Sequence, residues 1–376
     1  MRILLNAIIA KSKSGGGFQI SRNFILRSLE DHQIEWYYLI SEDLNAEFDS
    51  SQIQSSHLFV FPTQPNIKTY LKVACAIRKI EQKIRPDIVY SILSPSYFFF
   101  RSPEVMRCCN AWDVIDKNNV AWKYVSKEVT RKFRKKSILS RFLMKRACGF
   151  ITQTATAKEG ILNVTSVNSS KVAVVPNVLP LVFKNCEPIK VIHEGYNILY
   201  TATPSPHKNF YCIPAIASIL KNQYHINSAK FIVTLPYGSP EIHRLMDMAC
   251  KLGVDDMIEN IGNKKQSELL DVYNYADIGF FPSVLETFSA TLLEYMKFGL
   301  PIVASDFPFN RDVAGNAAYY FAYDNLQNAA KCINKIIMDA DCRLQMQQNG
   351  EKRLELFNSF DNYYCSTINA LKDFCQ

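Results

Sequence analysis

The chain has 376 residues, 48% of them hydrophobic and 21% charged, with only 13 glycines and 16 prolines. That length suits two domains with sizeable cores, and the composition excludes a disordered, collagen-like or disulfide-stapled miniature protein. The formal net charge is +8, and no apolar run approaches the roughly 20 residues that cross a bilayer.

Strand-like runs alternate with helical periodicity from the first residue. Strands are expected at 2–8, 34–40, 57–61, 87–92, 106–110, 149–153 and 172–175, and helices at 19–30, 68–84 and 155–162. The opening apolar octet is interrupted by Asn6 and followed by Lys11 and Lys13, so it reads as a buried first strand rather than a signal peptide. The glycine-rich stretch 14–18, SGGGF, falls between that strand and the first helix. There a glycine lets backbone approach a bound phosphate or sugar closely, or simply makes a turn.

Between 120 and 150 the chain is strongly basic, carrying Lys123, Lys127, Arg131, Lys132, Arg134, Lys135, Lys136, Arg141, Lys145 and Arg146 against Glu128. Trp122, Val125, Val129, Phe133, Ile138, Phe142, Leu143 and Ala147 recur at near-helical spacing, which predicts a basic amphipathic helix or helix pair. Its cationic face is either simply solvated or docks on an anionic membrane leaflet. No nucleic-acid recognition motif accompanies the charge, and nucleic acid is not an expected partner.

The segment 176–196, with Pro176, Pro180, Pro188 and Gly195, breaks the alternation and reads as an interdomain linker. A second alternation follows, with strands at 197–201, 231–235, 258–262, 277–282 and 301–305. Helices are expected at 209–221, 240–252, 266–276 and 290–298, and from 325 onward the chain is helical and polar. β-rich runs separated by helices imply doubly wound parallel sheets buried on both faces, two in succession here. The expected divisions are 1–185, 186–355 and a C-terminal helix, 356–376, that packs back on the N-terminal domain. Eleven cysteines without a Cys-x2-Cys pair or a neighbouring His cluster read as free thiols, implying a reducing, cytoplasmic setting and no metal site.

The chemistry concentrates in 280–306, FFPSVLETFSATLLEYMKFGLPIVASD. A strand ends at Pro282, a loop carries Glu286, a helix opens near Ser289, Gly299 caps it, and Pro301 starts the next strand. Eight steps along one helix would leave Glu286 and Glu294 about 80° apart. With Glu286 in the loop instead, both carboxylates can line one pocket. The N–H groups of Ser289, Ala290 and Thr291 then form an anion seat suited to a pyrophosphate. A carboxylate at the depth of Glu294 can accept from a vicinal diol such as ribose, and Glu286, nearer the phosphate, can hold sugar hydroxyls.

Here the sequence resembles the retaining family 4 glycosyltransferases (glycosyl transferases group 1), enzymes of the GT-B fold with two Rossmann-like domains facing a cleft. The resemblance rests on the Glu-x7-Glu pair Glu286 and Glu294 and on the flanking ADIGFFPSVLETFSATLLEYMKFGLPIVASD and RDVAGNAAYYF. IGNKKQSELLDVYNYAD and VAVVPNVLP match more loosely. It implies that Glu294 holds the donor ribose, Glu286 the transferred sugar, and Lys208 in TATPSPHKNF the donor diphosphate.

The family's usual arginine five residues before that lysine is Thr203 here, so His207 or the helix terminus at Ser289–Thr291 must meet part of the charge. Gly16 and Gly17 correspond to the family's glycine-rich donor and acceptor loop. Trp112 and Asp113 stand where a His-Asp pair is common, as acceptor-side candidates. The catalytic pair implied is Glu286 and Lys208. The implied donor is a nucleotide-diphosphate sugar, used without a metal or other cofactor. The acceptor is a saccharide or lipid-linked saccharide in surface-polysaccharide synthesis, reached in the cytoplasm or on the inner face of the plasma membrane. A nucleotide-sugar 2-epimerase and a non-catalytic sugar-nucleotide-binding protein share the architecture and stand as alternatives.

Overall fold

Short runs of branched and aromatic residues make the strands. The computed structural model describes residues 1–12, 16–49, 51–63, 67–357 and 359–375 and divides into two units. The first comprises Met1–Asp116, Arg131–Pro176 and Phe360–Gln376, and the second Lys117–Thr130 and Asn177–Ser359.

In the first unit, β1 (Arg2–Ala7), β2 (Glu35–Ser41), β3 (Leu58–Phe61), β4 (Ile88–Ser91), β5 (Glu104–Arg107), β6 (Gly149–Thr152) and β7 (Val172–Val174) form one parallel sheet. Its order is β3-β2-β1-β4-β5-β6-β7. Ile3 pairs with Trp36 on one side and Ile88 on the other, and the side chains of Ile3, Leu4 and Leu5 are fully buried, as helices on both faces require.

The C-terminal helix Phe360–Phe374 belongs to this unit. Tyr364 lies 5.1 Å from Phe24 between ring centroids, and Arg27 donates to Asp361 at 2.6 Å. A Cβ at position 149 would stand 2.5 Å from the Phe374 ring, so glycine in β6 is what admits that phenylalanine.

In the second unit, β8 (Tyr196–Tyr200), β9 (Ala229–Val233), β10 (Ile258–Asn260), β11 (Ile278–Phe281), β12 (Ile302–Ser305) and β13 (Ala318–Phe321) run parallel in the order β10-β9-β8-β11-β12-β13. In both sheets the order reverses once, between β1 and β4 and between β8 and β11. Such a reversal opens a crevice at the carboxyl ends of the strands.

Three elements differ from those expected. β5 ends at Arg107 because Asn110 leaves the sheet to cap the short helix Ala111–Val114, accepting from the Trp112 N–H. The helix expected from 209 begins at Ile213, since Asn209 adopts φ +54° and separates it from the turn Pro206–Lys208. A sixth strand, β13, lies at the sheet edge beyond the five expected; its run AYYF pairs with β12, Ile302 opposite Ala318 and Ser305 opposite Phe321.

The basic stretch resolves into a 3-10 turn, Val120–Tyr124, and the helix Lys127–Met144. Ser137, Ser140, Leu143 and Met144 are buried there, while Ile138 and Phe142 of the expected apolar stripe face solvent. Ser137 and Ser140 fill the packed side instead, with Ser137 Oγ donating to the Trp112 carbonyl at 3.0 Å. Among the described residues no helix is long and apolar enough to cross a membrane.

Candidate active site

Three chain segments meet at the β8–β11 crevice of the second unit. After β8, Pro206 opens a turn whose fixed φ suits its first position, and Asn209 closes it in the left-handed region. The buried Tyr200 hydroxyl donates to the Lys208 carbonyl at 2.8 Å and pins the turn to the strand. After β11, the Val284 N–H donates to the His207 carbonyl at 2.8 Å, so the two loops are stitched backbone to backbone.

Across that stitch the Lys208 Nζ meets Glu286 Oε1 at 2.5 Å, with side chains 18% and 13% exposed. The same carboxylate oxygen accepts from Ser283 Oγ at 2.8 Å. Ser283 is held in turn: its carbonyl accepts from the Ser305 hydroxyl, and Asn310 Nδ2 donates to both Ser305 O (2.9 Å) and Oγ (3.0 Å). The Lys208 ammonium also lies 5.7 Å from the centroid of the Phe281 ring, within cation–π range.

The helix Ala290–Lys297 follows. Its seating on β11 depends on Gly279, where a Cβ would stand 2.4 Å from the Tyr295 ring; the Tyr295 hydroxyl reaches Leu199 O at 2.9 Å. Gly299, at φ +63°, ends the helix and turns the chain into β12. At the other end Ser289 is the N-cap but makes no side-chain capping bond, and Thr287 and Ser289 are nearly buried while Ala290 and Thr291 are half-exposed. A helix start left without a side-chain cap keeps donors for an anion.

Glu294 is 6% exposed and accepts from the Tyr273 hydroxyl, which itself lies 3.3 Å from Thr201 Oγ1. Burial pushes the Glu294 carboxyl up to about 7, against the lowering effect of the Tyr273 bond. His207 is driven the other way, to about 4, by burial and by the neighbouring Lys208, with Glu286 opposing. The histidine is therefore neutral near pH 7, and Lys208 carries the positive charge of this turn.

The structure thus brings Lys208 and Glu286 into contact and puts His207 on the same turn. Ser289, Ala290, Thr291 and Glu294 lie on the adjoining helix. The residues that orient them, Tyr200, Tyr273, Ser283, Ser305 and Asn310, were not among those singled out in the sequence. Their partners lie from 3 to 22 residues away and carry no local signal.

The remaining candidates belong to the first unit. Gly16 and Gly17 begin the helix Gly16–Leu29 after β1, beside that sheet's own reversal; Ser14 and Gly15 lie outside the described residues. A Cβ on Gly17 would meet Leu93 at 3.2 Å, whereas one on Gly16 meets nothing among the described residues. Trp112 stacks obliquely on Phe133, with centroids 4.9 Å apart. Asp113 is 1% exposed and accepts from Asn110 Nδ2 at 2.9 Å; burial raises its pKa, which Ser140 and Asn110 partly offset.

Two successive doubly wound parallel sheets, with charged loops at the second reversal, define the GT-B class of architecture. Residues 187–353 match the family model described as Glycosyl transferases group 1. The chain is 26% identical over 198 residues to an O-antigen chain mannosyltransferase of Salmonella typhimurium, covering 53% of each sequence. The chain therefore spans about half the length of that curated relative. A glycosyltransferase from Rickettsia africae superposes with a TM-score of 0.72 at 14% identity, over 99% of this chain and 98% of that one. Anabaena HepE in complex with UDP-glucose gives 0.70 at 14% identity over 99% of both chains.

Proposed function

We propose that the protein is a glycosyltransferase. It moves a sugar, with retention of anomeric configuration, from a nucleotide-diphosphate donor to a saccharide or lipid-linked saccharide in the assembly of bacterial surface polysaccharide such as O-antigen or capsule. The observation that carries this reading is the Lys208–Glu286 pair at the β8–β11 reversal, beside a helix whose N-cap residue, Ser289, makes no side-chain capping bond. The matched family, the mannosyltransferase relative and the UDP-glucose-bound neighbour support the same class.

In this mechanism the donor diphosphate takes the Lys208 ammonium and the amides of Ser289, Ala290 and Thr291, without a bound metal. Glu286, released from its lysine, accepts from hydroxyls of the transferred sugar, and Glu294 accepts from the ribose diol. The acceptor oxygen bonds to the anomeric carbon on the face from which the diphosphate leaves. The acceptor's proton passes to the departing phosphate oxygen. The negative charge that develops there falls on groups already oriented for it, which is the efficient way to lower such a barrier. Eleven free thiols fit a reducing compartment, and we place the reaction in the cytoplasm.

A thermal-shift screen of UDP-, GDP-, ADP- and dTDP-sugars tests the reading, followed by product analysis with and without saccharide acceptors. One donor should raise the melting temperature above its free nucleotide and yield a glycosylated acceptor, and Glu286→Ala should abolish transfer. Conversion of the donor without acceptor would identify an epimerase. Binding without turnover on any acceptor would identify a sugar-nucleotide-binding protein.

A further inference from the structure

The first unit carries a surface that its packing does not explain. From Arg131 to Phe150 there are eight basic residues and no acidic one. Arg141 is used internally, donating to Asp113 O at 2.9 Å, and so is Arg146, donating to Ser96 O at 2.8 Å and Phe98 O at 3.1 Å. Arg131, Lys132, Arg134, Lys135, Lys136 and Lys145 are exposed.

Among these cations stand three large apolar side chains that the fold leaves in solvent: Ile138 (67% exposed), Leu139 (52%) and Phe142 (64%). At about 100° per residue, Arg131, Lys135, Ile138 and Phe142 fall within about 60° of one another, opposite the buried Ser137, Ser140 and Met144. The apolar exposure continues beyond the helix. The Arg146 guanidinium lies 3.9 Å from the centroid of the Phe99 ring and holds it outward, 61% exposed.

We infer that this face inserts into the interfacial region of an anionic lipid bilayer, with Ile138, Leu139 and Phe142 entering the headgroup–acyl boundary and the surrounding cations on lipid phosphates. Charge complementarity selects this occupant. A polyanionic strand would reward the cations and leave the leucine, isoleucine and phenylalanine in water. A second copy of the same face would bring six cations against six. A helix presenting apolar residues flanked by Lys and Arg matches an interfacial anchor on both counts. The inference stands on this face alone and does not require the transferase reading.

Each buried apolar side chain should contribute about tenfold to partitioning, and each cation about fivefold. The full chain is floated with vesicles of phosphatidylcholine, alone or with about a third phosphatidylglycerol, at ~0.1 M and ~0.5 M NaCl. Wild-type protein should float with the anionic vesicles at both salts, less at the higher. Ile138→Ser/Leu139→Ser/Phe142→Ser should partition about 1,000-fold less and detach at high salt, with unchanged thermal unfolding. Phe142→Trp should retain binding, since an indole suits the interface. Lys132→Glu/Lys135→Glu/Lys136→Glu should lose the preference for anionic vesicles. The inference is overturned if wild-type protein ignores anionic vesicles, binds neutral ones equally, or partitions like the triple serine variant. It is also overturned if the apolar triad instead makes a dimer that the serine variant dissolves.

Discussion

Replacing Glu294 by glutamine separates what this residue costs the fold from what it gives the site. In the folded protein the carboxyl is raised from 4.5 to about 7, chiefly by burial. Between those two values the native state holds a proton that the unfolded chain has released, so stability falls as pH rises through this window and is level again above it. The full shift corresponds to about 3 kcal/mol. At 6% exposure little of that is lost to solvent screening.

Glutamine keeps an oxygen for Tyr273 and carries no charge, so its advantage over wild type should grow from under about 1 kcal/mol at pH 5 to about 3 kcal/mol at pH 8. For a unit of this size that is several degrees in melting temperature, at about 2–4 °C per kcal/mol. Glu104, also raised to about 7 by burial, is present in both proteins and cancels in the difference. The assay is paired thermal unfolding of wild type and Glu294→Gln from pH 5 to 8, with nucleotide-diphosphate affinity measured on the same samples. Affinity should fall about tenfold or more as the charged acceptor is lost, with a smaller effect on turnover. A melting difference that is flat with pH, or a variant less stable at pH 8, would refute the argument that burial strains this carboxylate.

Lys208→Met should lower turnover about 100-fold, while His207→Gln, replacing a ring already neutral near pH 7, should leave donor affinity within about threefold. Steady-state kinetics of the two variants decide it, and comparable losses would mean that the histidine shares the charge. Gly279→Ala forces a Cβ to 2.4 Å from the Tyr295 ring and should cost about 1–3 kcal/mol or more, whereas Gly16→Ala, whose Cβ meets nothing among the described residues, should not lower the melting temperature.

Much of this protein is written locally. The alternation of short branched and aromatic runs with helical periods specifies two parallel sheets, because a strand buried on both faces must be apolar throughout and its crossover must be a helix. The frame of strand, loop, helix, glycine and proline around 280–301 likewise marks where Glu286 leaves the sheet and where Glu294 enters a helix, since Gly299 at positive φ is a one-residue signal.

What only the tertiary structure decided are relations between distant residues. Glu286 meets Lys208 across 78 positions, and Glu294 meets Tyr273 across 21. Neither pairing exists until the β8–β11 order brings the loops together, and neither leaves a periodic trace in the chain. The basic helix makes the same point in reverse. Its spacing suggests an apolar stripe turned inward, yet small serines occupy the packed side and Ile138 and Phe142 are left outside. Periodicity reports that a helix has a greasy face; only the neighbours it packs against determine which face is covered.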